Sequence, residues 1–273
     1  MTDLHFKLTF TLAILAGIII SFLMLDYFRI IRYPRIGLYL ALLAIAWGGY
    51  VTWSAVWPTS TFYGSVDYQG CPTEKVVALT FDDGPNPPYT FELLNLLDRE
   101  QVKATFFLIG QNVEKHPDVA REIVRRGYLI GSHTYSHSDL LKLDNTQAAW
   151  EMDQSLRVIE QATETRPHLL RPPHGFRDAV ILEKAKERNL KIIQWSVMAE
   201  DWKKPGIDVI TDRVVHKVQN GSIVLLHDGD GVVNGGDRNQ TIAATEKIIY
   251  RLKEQGYRFV TVDEILDSHR LEK

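Results

Sequence analysis

From about Pro72 onward the chain alternates short runs rich in Val, Ile and Phe with longer segments of helical periodicity, and this alternation restricts the fold more than any other feature. Candidate strands are VVALTF (76–81), ATFFLIG (104–110), KIIQWSV (191–197), SIVLLHD (222–228) and YRFVTV (257–262). They are almost continuously apolar, as strands covered on both faces are, where half-exposed strands would alternate. Helical patterns lie between them, near 90–101, 112–126, 146–163, 178–189, 207–219 and 241–255. In the first of these, Leu93, Leu94 and Leu97 share one stripe. Gly127, Gly221 and Gly256 each follow a helical segment, the position at which a left-handed residue ends a helix. Such alternation implies a parallel sheet with helices outside it, either open or closed into a barrel. In both forms functional residues gather at the carboxyl ends of the strands.

The first sixty residues are different in kind. Leu8 to Leu25 is an uncharged run of eighteen residues. At about 1.5 Å per residue it approaches the roughly 30 Å of a bilayer's hydrocarbon core. A second uncharged run starts at Ile36 and continues past Trp57, with Tyr50, Trp53 and Trp57 toward its end; aromatic rings suit the membrane–water boundary. Between the runs, DYFRIIRYPR carries Arg29, Arg32 and Arg35, whereas the flanks offer only Lys7 and then no basic residue before Lys75. The positive-inside rule puts that loop in the cytoplasm and both ends outside. The expectation is therefore a multi-pass membrane anchor over 1–65, with transmembrane helices at about 8–28 and 36–57. A second domain over 66–273 would face the extracytoplasmic side of the cell membrane. No small-residue cleavage site follows the first run, which argues against a removed signal peptide.

Charge and cysteine content narrow the partners. The first sixty residues hold four basic and two acidic side chains, so the remainder must be acidic to leave the whole chain at −3. An acidic domain lacks the basic face that phosphate backbones require, which argues against nucleic acid. Cys71 is the single cysteine, so no intramolecular disulfide can form. No dinucleotide-binding GxGxxG follows a strand, and there is neither a Walker A loop nor a GxSxG elbow. No nucleotide cofactor is expected.

The polar residues fall where the chemistry of such a fold would be. Asp82-Asp83-Gly84-Pro85 directly follows the first strand. Two adjacent carboxylates repel each other unless a cation or a proton lies between them. His133 and His137 in SHTYSH are four apart, a spacing that puts both rings on one face of a helical turn. Two histidines and one carboxylate make a three-ligand metal set with open positions, the pattern of a catalytic site. Arg171 opens the turn-rich RPPHGF, Glu200-Asp201-Trp202 follows the strand at 191–197, and His227-Asp228 closes the strand at 222–228. Each feature alone has an ordinary explanation as an Asx turn, an incidental pair or a surface arginine. Together they bring acids, bases and ligands to one end of the sheet.

In this order the residues resemble the polysaccharide deacetylase family, also called the NodB-homology domain or carbohydrate esterase family 4. The likeness runs from about residue 73 to 265. It is carried by Thr80 to Pro85, Ser132 to His137, Arg171 to Gly175, Trp195 to Trp202, Leu225 to His227, and the closing GYRFVTVDEIL. The resemblance implies a distorted (β/α) barrel of about seven parallel strands. It implies a divalent metal on Asp83, His133 and His137, most often Zn2+, with Co2+, Ni2+ or Mn2+ as alternatives. It implies Asp82 as base, His227 as acid, Arg171 orienting Asp82, and Asp201 supporting His227. Trp202 and Leu225 would line the acetyl pocket, and His174 and Gly175 would contact substrate, a backbone N–H near His174 helping to hold the oxyanion. Two positions depart from the family: His174 replaces a usual Tyr, and Met198 replaces a frequent Asp.

The expected activity is metal-dependent hydrolysis of N-acetyl groups from GlcNAc-type sugars of a cell-envelope or extracellular glycan, releasing acetate. The alternatives are a lipid-carrier-linked sugar or an O-acetylated glycan as substrate, a catalytically silent glycan-binding module on a membrane tether, and an iron oxygenase using the same three ligands.

Overall fold

The computed structural model describes residues 8–28, 34–71, 73–232 and 236–270. Its centre is β1 (Val76–Asp82), buried along its whole length. On one side β1 pairs with β2 (Ala104–Leu108), followed outward by β3 (Leu129–Ser132), β4 (Leu169–Leu170) and β5 (Lys191–Ile192). On the other it pairs with β7 (Ser222–His227), and β7 with β6 (Val197–Met198). Every pairing is parallel. A two-residue strand, β8 (Arg258–Phe259), adds to the start of β1.

The run expected as one strand at 191–197 is two short strands, β5 and β6, and the break closes the architecture. β5 belongs to one edge of the seven-strand path and β6 to the other. Between them the N–H of Ile193 donates to Leu170 O (2.9 Å), that of Gln194 to Asp67 O (2.7 Å) and that of Ser196 to Ile223 O (3.0 Å). One extended segment thus serves both edges, and the sheet curls into the distorted barrel of seven parallel strands rather than an eightfold one.

Helices cover the outside: α3 (Tyr89–Glu100), α4 (Gly110–Lys115), α5 (Pro117–Arg125), α6 (Asn145–Thr163), α7 (Ala179–Glu187), α8 (Ile207–Val215), α9 (Asn239–Glu254) and α10 (Val262–Arg270). The helix expected over 112–126 divides at Pro117, which opens α5 because it has no N–H to continue the turn before it. The terminal run 257–262 is mostly not strand; after β8 it turns into α10.

Strand parity decides what faces inward. Val77, Leu79 and Phe81 pack outward under the helices with Phe106, Leu108, Val224 and Leu226. Val76 and Ala78 face the interior with Phe107, Ile223, Leu225 and Trp195. Continuing that inner face, β1 delivers Asp82 and β7 delivers His227. The register sets those two residues directly opposite each other.

Ahead of the barrel stand α1 (Leu8–Tyr27) and α2 (Pro34–Val56), packed on each other. Two membrane spans were expected; among the described residues one stretch is long and apolar enough, Gly37–Val56. The other apolar stretch, Thr11–Leu25, is shorter. The described residues thus offer one helix of span length where two were expected, and they do not support a multi-pass anchor. Arg29 and Arg32, on which the inferred orientation rested, lie outside the described residues, as does the side chain of Arg35.

Candidate active site

The carboxyl ends of the strands surround a cavity of about 470 Å3. On one wall Asp82 Oδ1 accepts a hydrogen bond from Arg171 Nη1 at 2.7 Å. The guanidinium also donates to Thr80 Oγ1 (2.7 Å) and Gln194 O (3.1 Å), and its carbon lies 4.1 Å from the centre of the Phe107 ring. Burial lowers the Arg171 pKa and the Asp82 charge opposes that fall. An arginine with no exposed surface is tolerable only with such a set of partners. Its position fixes one oxygen of Asp82 and leaves the other toward the cavity.

Asp83 follows with a left-handed backbone (φ 76). Gly84 is required beside it, because a Cβ there would sit 2.3 Å from Asp228 Oδ2. Asp228 is itself buried, and burial first, with the nearby Asp83 and Asp82 charges, pushes its carboxyl up to about 7. It accepts a hydrogen bond from Thr90 Oγ1 at 2.5 Å.

Asp83 Oδ1 lies 3.5 Å from His133 Nε2 and 3.3 Å from His137 Nε2. The three donor atoms lie within 4.8 Å of one another, and Asp83 Oδ1 is buried with no hydrogen-bond partner. Two ligands each about 2.1 Å from a tetrahedral ion are about 3.4 Å apart, so the set fits a divalent cation. The nitrogens are prepared for it. His133 Nδ1 donates to Arg171 O at 2.7 Å, which turns the lone pair of Nε2 toward Asp83. His137 is pushed down to about 4, by burial first and then by His133, against the pull of Asp83, and so stays neutral. On Asp83, burial pushes the carboxyl up, but His227, His133 and His137 outweigh it and hold it below the usual range.

The two histidines do not share a helical turn. His133 follows β3 in a loop, with Thr134 (φ 66) and His137 (φ 58) left-handed, and the loop folds back to bring the rings to 5.0 Å between centres. Glu151 of α6 holds this fold. It accepts the N–H groups of Tyr135 (3.0 Å) and Ser136 (2.8 Å) and the Ser136 hydroxyl. Sequence reasoning missed Glu151, although it is a lone acid on a stripe with Ala148, Met152 and Ser155, all buried.

On the opposite wall the order of charges reverses. His227 faces the cavity, and Asp201 lies behind it with no side-chain exposure, 2.9 Å from Nδ1. The other Asp201 oxygen accepts the His227 N–H and the Thr241 hydroxyl, each at 2.9 Å. Burial alone would lower the His227 pKa; Asp201, then Asp83 and Asp82, carry it up to about 9. Trp202 stands edge-on to His227 at 5.2 Å, and Leu225, Met198 and Trp195 complete an apolar wall. His174 (φ 59) lies at the mouth, 5.2 Å from His137. Gly175 is set back from the cavity, with its carbonyl bonded to Gln194 and Arg177; a Cβ there would collide with the Gln194 amide.

A family model described as polysaccharide deacetylase matches residues 69–193. The peptidoglycan-N-acetylglucosamine deacetylase of Bacillus cereus is 38% identical over 220 residues, which cover 80% of this chain and 93% of that protein. The chain belongs to the polysaccharide deacetylase family. It is a hydrolase of carbon–nitrogen bonds other than peptide bonds. A chitooligosaccharide deacetylase of Sinorhizobium fredii is 37% identical over 187 residues, covering 66% of this enzyme and 87% of the relative. The crystal structure of the Bc1960 peptidoglycan N-acetylglucosamine deacetylase in complex with 4-naphthalen-1-yl-N-oxidanyl-benzamide superposes with a TM-score of 0.71. It has 36% identity and covers 74% of this chain and 92% of that one.

Proposed function

We propose that this enzyme removes N-acetyl groups from GlcNAc-type residues of a cell-envelope glycan, with Zn2+ on Asp83, His133 and His137, from a membrane anchor that places the barrel outside the cytoplasm. One observation carries the reading. Around the Asp83–His133–His137 cluster, a carboxylate backed by a cation (Asp82–Arg171) and a cation backed by a carboxylate (His227–Asp201) face the same cavity. Amide hydrolysis needs both, because water must lose a proton on attack and the amine must gain one to leave.

The bound ion would supply Lewis acidity toward the amide oxygen and the attacking water. Asp82 accepts a proton from that water as its oxygen bonds to the acetyl carbon. The backbone near His174 offers an N–H to the developing oxyanion. His227 gives its Nε2 proton to the sugar nitrogen as the carbon–nitrogen bond breaks, leaving acetate and a free amino sugar. Trp202 and Leu225 enclose the methyl group. Met198 makes the wall beside them apolar where a frequent family Asp would be charged.

A second reading, a sugar on a membrane lipid carrier, is favoured by the span-length helix that runs straight into the same domain. Full-length enzyme in detergent should release acetate from N-acetylated chitooligosaccharide or peptidoglycan fragments. It should stop with a chelator and recover with added zinc. Chelator-insensitive release would remove the metal from the account.

A further inference from the structure

The end of helix α2 is docked into the layer of helices that covers the barrel. Val51 and Ala55 are buried in a cluster with Val66, Leu141, Met152 and Ile181 of the enzyme domain. The end of the helix is then capped by Arg177. Its backbone N–H donates to Ala55 O at 3.0 Å. Its guanidinium donates to Trp57 O (2.9 Å), Pro58 O (3.0 Å) and Ser60 O (2.7 Å), and to Gly175 O at 3.1 Å. The end of a helix and the turn that follows it present carbonyls and partial negative charge, so an arginine with 1% exposure is at home there on carbonyl partners alone among the described residues. Burial nonetheless pushes Arg177 down to about 10.

Arg177 closes the segment that Arg171 opens. One end of this segment is bonded to Asp82, the other to the end of α2, and His174 lies between them at the mouth of the cavity. Three residues span at most about 11 Å, so the cavity mouth lies within that distance of the helix cap. A second face of α2 carries Trp47, Tyr50, Trp53 and Trp57, each about half exposed. The rings run in contact along the helix, at 5.7, 6.2 and 5.7 Å between successive centres, and Phe62 joins them at 5.2 Å from Tyr50. Exposed aromatic rings of this kind suit the headgroup layer, so the docked turns from Val51 to Val56 stand at the bilayer boundary and not in its hydrocarbon core.

We infer that α2 is a rigid stalk clamped into the barrel by Arg177, which holds the active site at one fixed height beside the bilayer, so that the substrate is glycan lying at the membrane surface. The inference rests on the membrane reading proposed above and deepens it. A flexible tether would let the site sample glycan at any distance its length allowed. A clamped stalk cannot.

The test uses the full chain in proteoliposomes. A dye on Tyr250→Cys, at an exposed position of α9, transfers energy to acceptor lipids in the headgroup layer; the native Cys71 is buried. The expected result is one narrow distance distribution, broadened in Arg177→Met. A broad distribution in the otherwise native chain overturns the stalk whatever the activity. N-acetylated chitooligosaccharide is then presented free and on lipids through spacers of graded length. Deacetylation should peak at short spacers and fall about tenfold at the longest, because only the short ones match a fixed span. In Arg177→Met, normalised to the free sugar, the profile should flatten. A flat profile in the native chain contradicts the inference, whereas no turnover of any acetylated sugar would instead refute the proposed function. If Arg177→Met does not fold, the native distance distribution and spacer profile still decide.

Discussion

The two walls of the cavity use the same chemistry in opposite order. On the Asp82 wall the carboxylate meets the cavity and the guanidinium of Arg171 is sealed behind it at 2.7 Å. On the His227 wall the imidazole meets the cavity and the carboxylate of Asp201 is sealed behind it at 2.9 Å. Either pair, transposed to a solvated surface, would contribute little. Buried, each sealed group orients the partner that faces the cavity, and Asp201 also raises the pKa of His227. The proposed proton acceptor and proton donor can thus coexist in one cavity, because each is held from outside it. Strand parity makes this cheap to build, since Asp82 and His227 are register partners on neighbouring strands.

Removing the acceptor should have the largest effect. Asp82→Asn keeps the size and loses the basic oxygen, so kcat should fall by about 10³–10⁴, measured as acetate release under saturating metal. His227→Ala should lower kcat by about 10²–10³ on an amide substrate. That is less than for Asp82, because solvent can deliver a proton to the exposed mouth more readily than it can remove one at the buried end.

Asp201→Asn separates position from charge. His227 is raised to about 9 mainly by Asp201. The acid is therefore loaded below that pH and lost above it, which gives an alkaline limb in the rate profile. A cation on Asp83 offsets part of the Asp83 and Asp82 contribution, so the limb of the loaded enzyme lies below 9. The asparagine variant should move the limb further toward acid while leaving the acid side of the profile in place. An unmoved alkaline limb would show that Asp201 does not govern His227.

The smallest effect is expected from outside both walls. Glu151→Gln keeps one acceptor but weakens the hold on Tyr135 and Ser136, and metal affinity should drop by about 10-fold. Titration of the metal-free enzyme reads this directly. A lower melting temperature with unchanged affinity would make Glu151 merely structural.

These pairs were legible in the sequence to different depths. Asp82 and His227 stood out because each ends a continuously apolar run, and strands buried on both faces make such runs. β3 and β4 escaped notice because four and two residues are too short for any period to show. The spacing of His133 and His137 is shared by a helical turn and by the loop actually formed. Left-handed Thr134 and His137 depend on the Glu151 anchor, which is distant in sequence. The run at 191–197 reads as one strand because its apolar composition is the same whether it serves one edge or two. The docking of α2 was invisible for a related reason. An uncharged helix face looks the same toward lipid as toward protein, and Arg177, three residues past His174, gave no sign that its partners were carbonyls at and just beyond the end of a helix far upstream.

The proposed roles of Asp82 as base and His227 as acid are separated by the leaving group. An aryl acetate departs without a proton, whereas the amine of an N-acetyl sugar does not. The measurement is kcat/KM of the full-length enzyme, of Asp82→Asn and of His227→Ala on both substrates at one pH and saturating zinc. His227→Ala should lose about 10²–10³ on the N-acetyl sugar and less than about tenfold on the aryl ester, while Asp82→Asn loses heavily on both. Equal losses for the two variants on both substrates would contradict the division of roles between the walls.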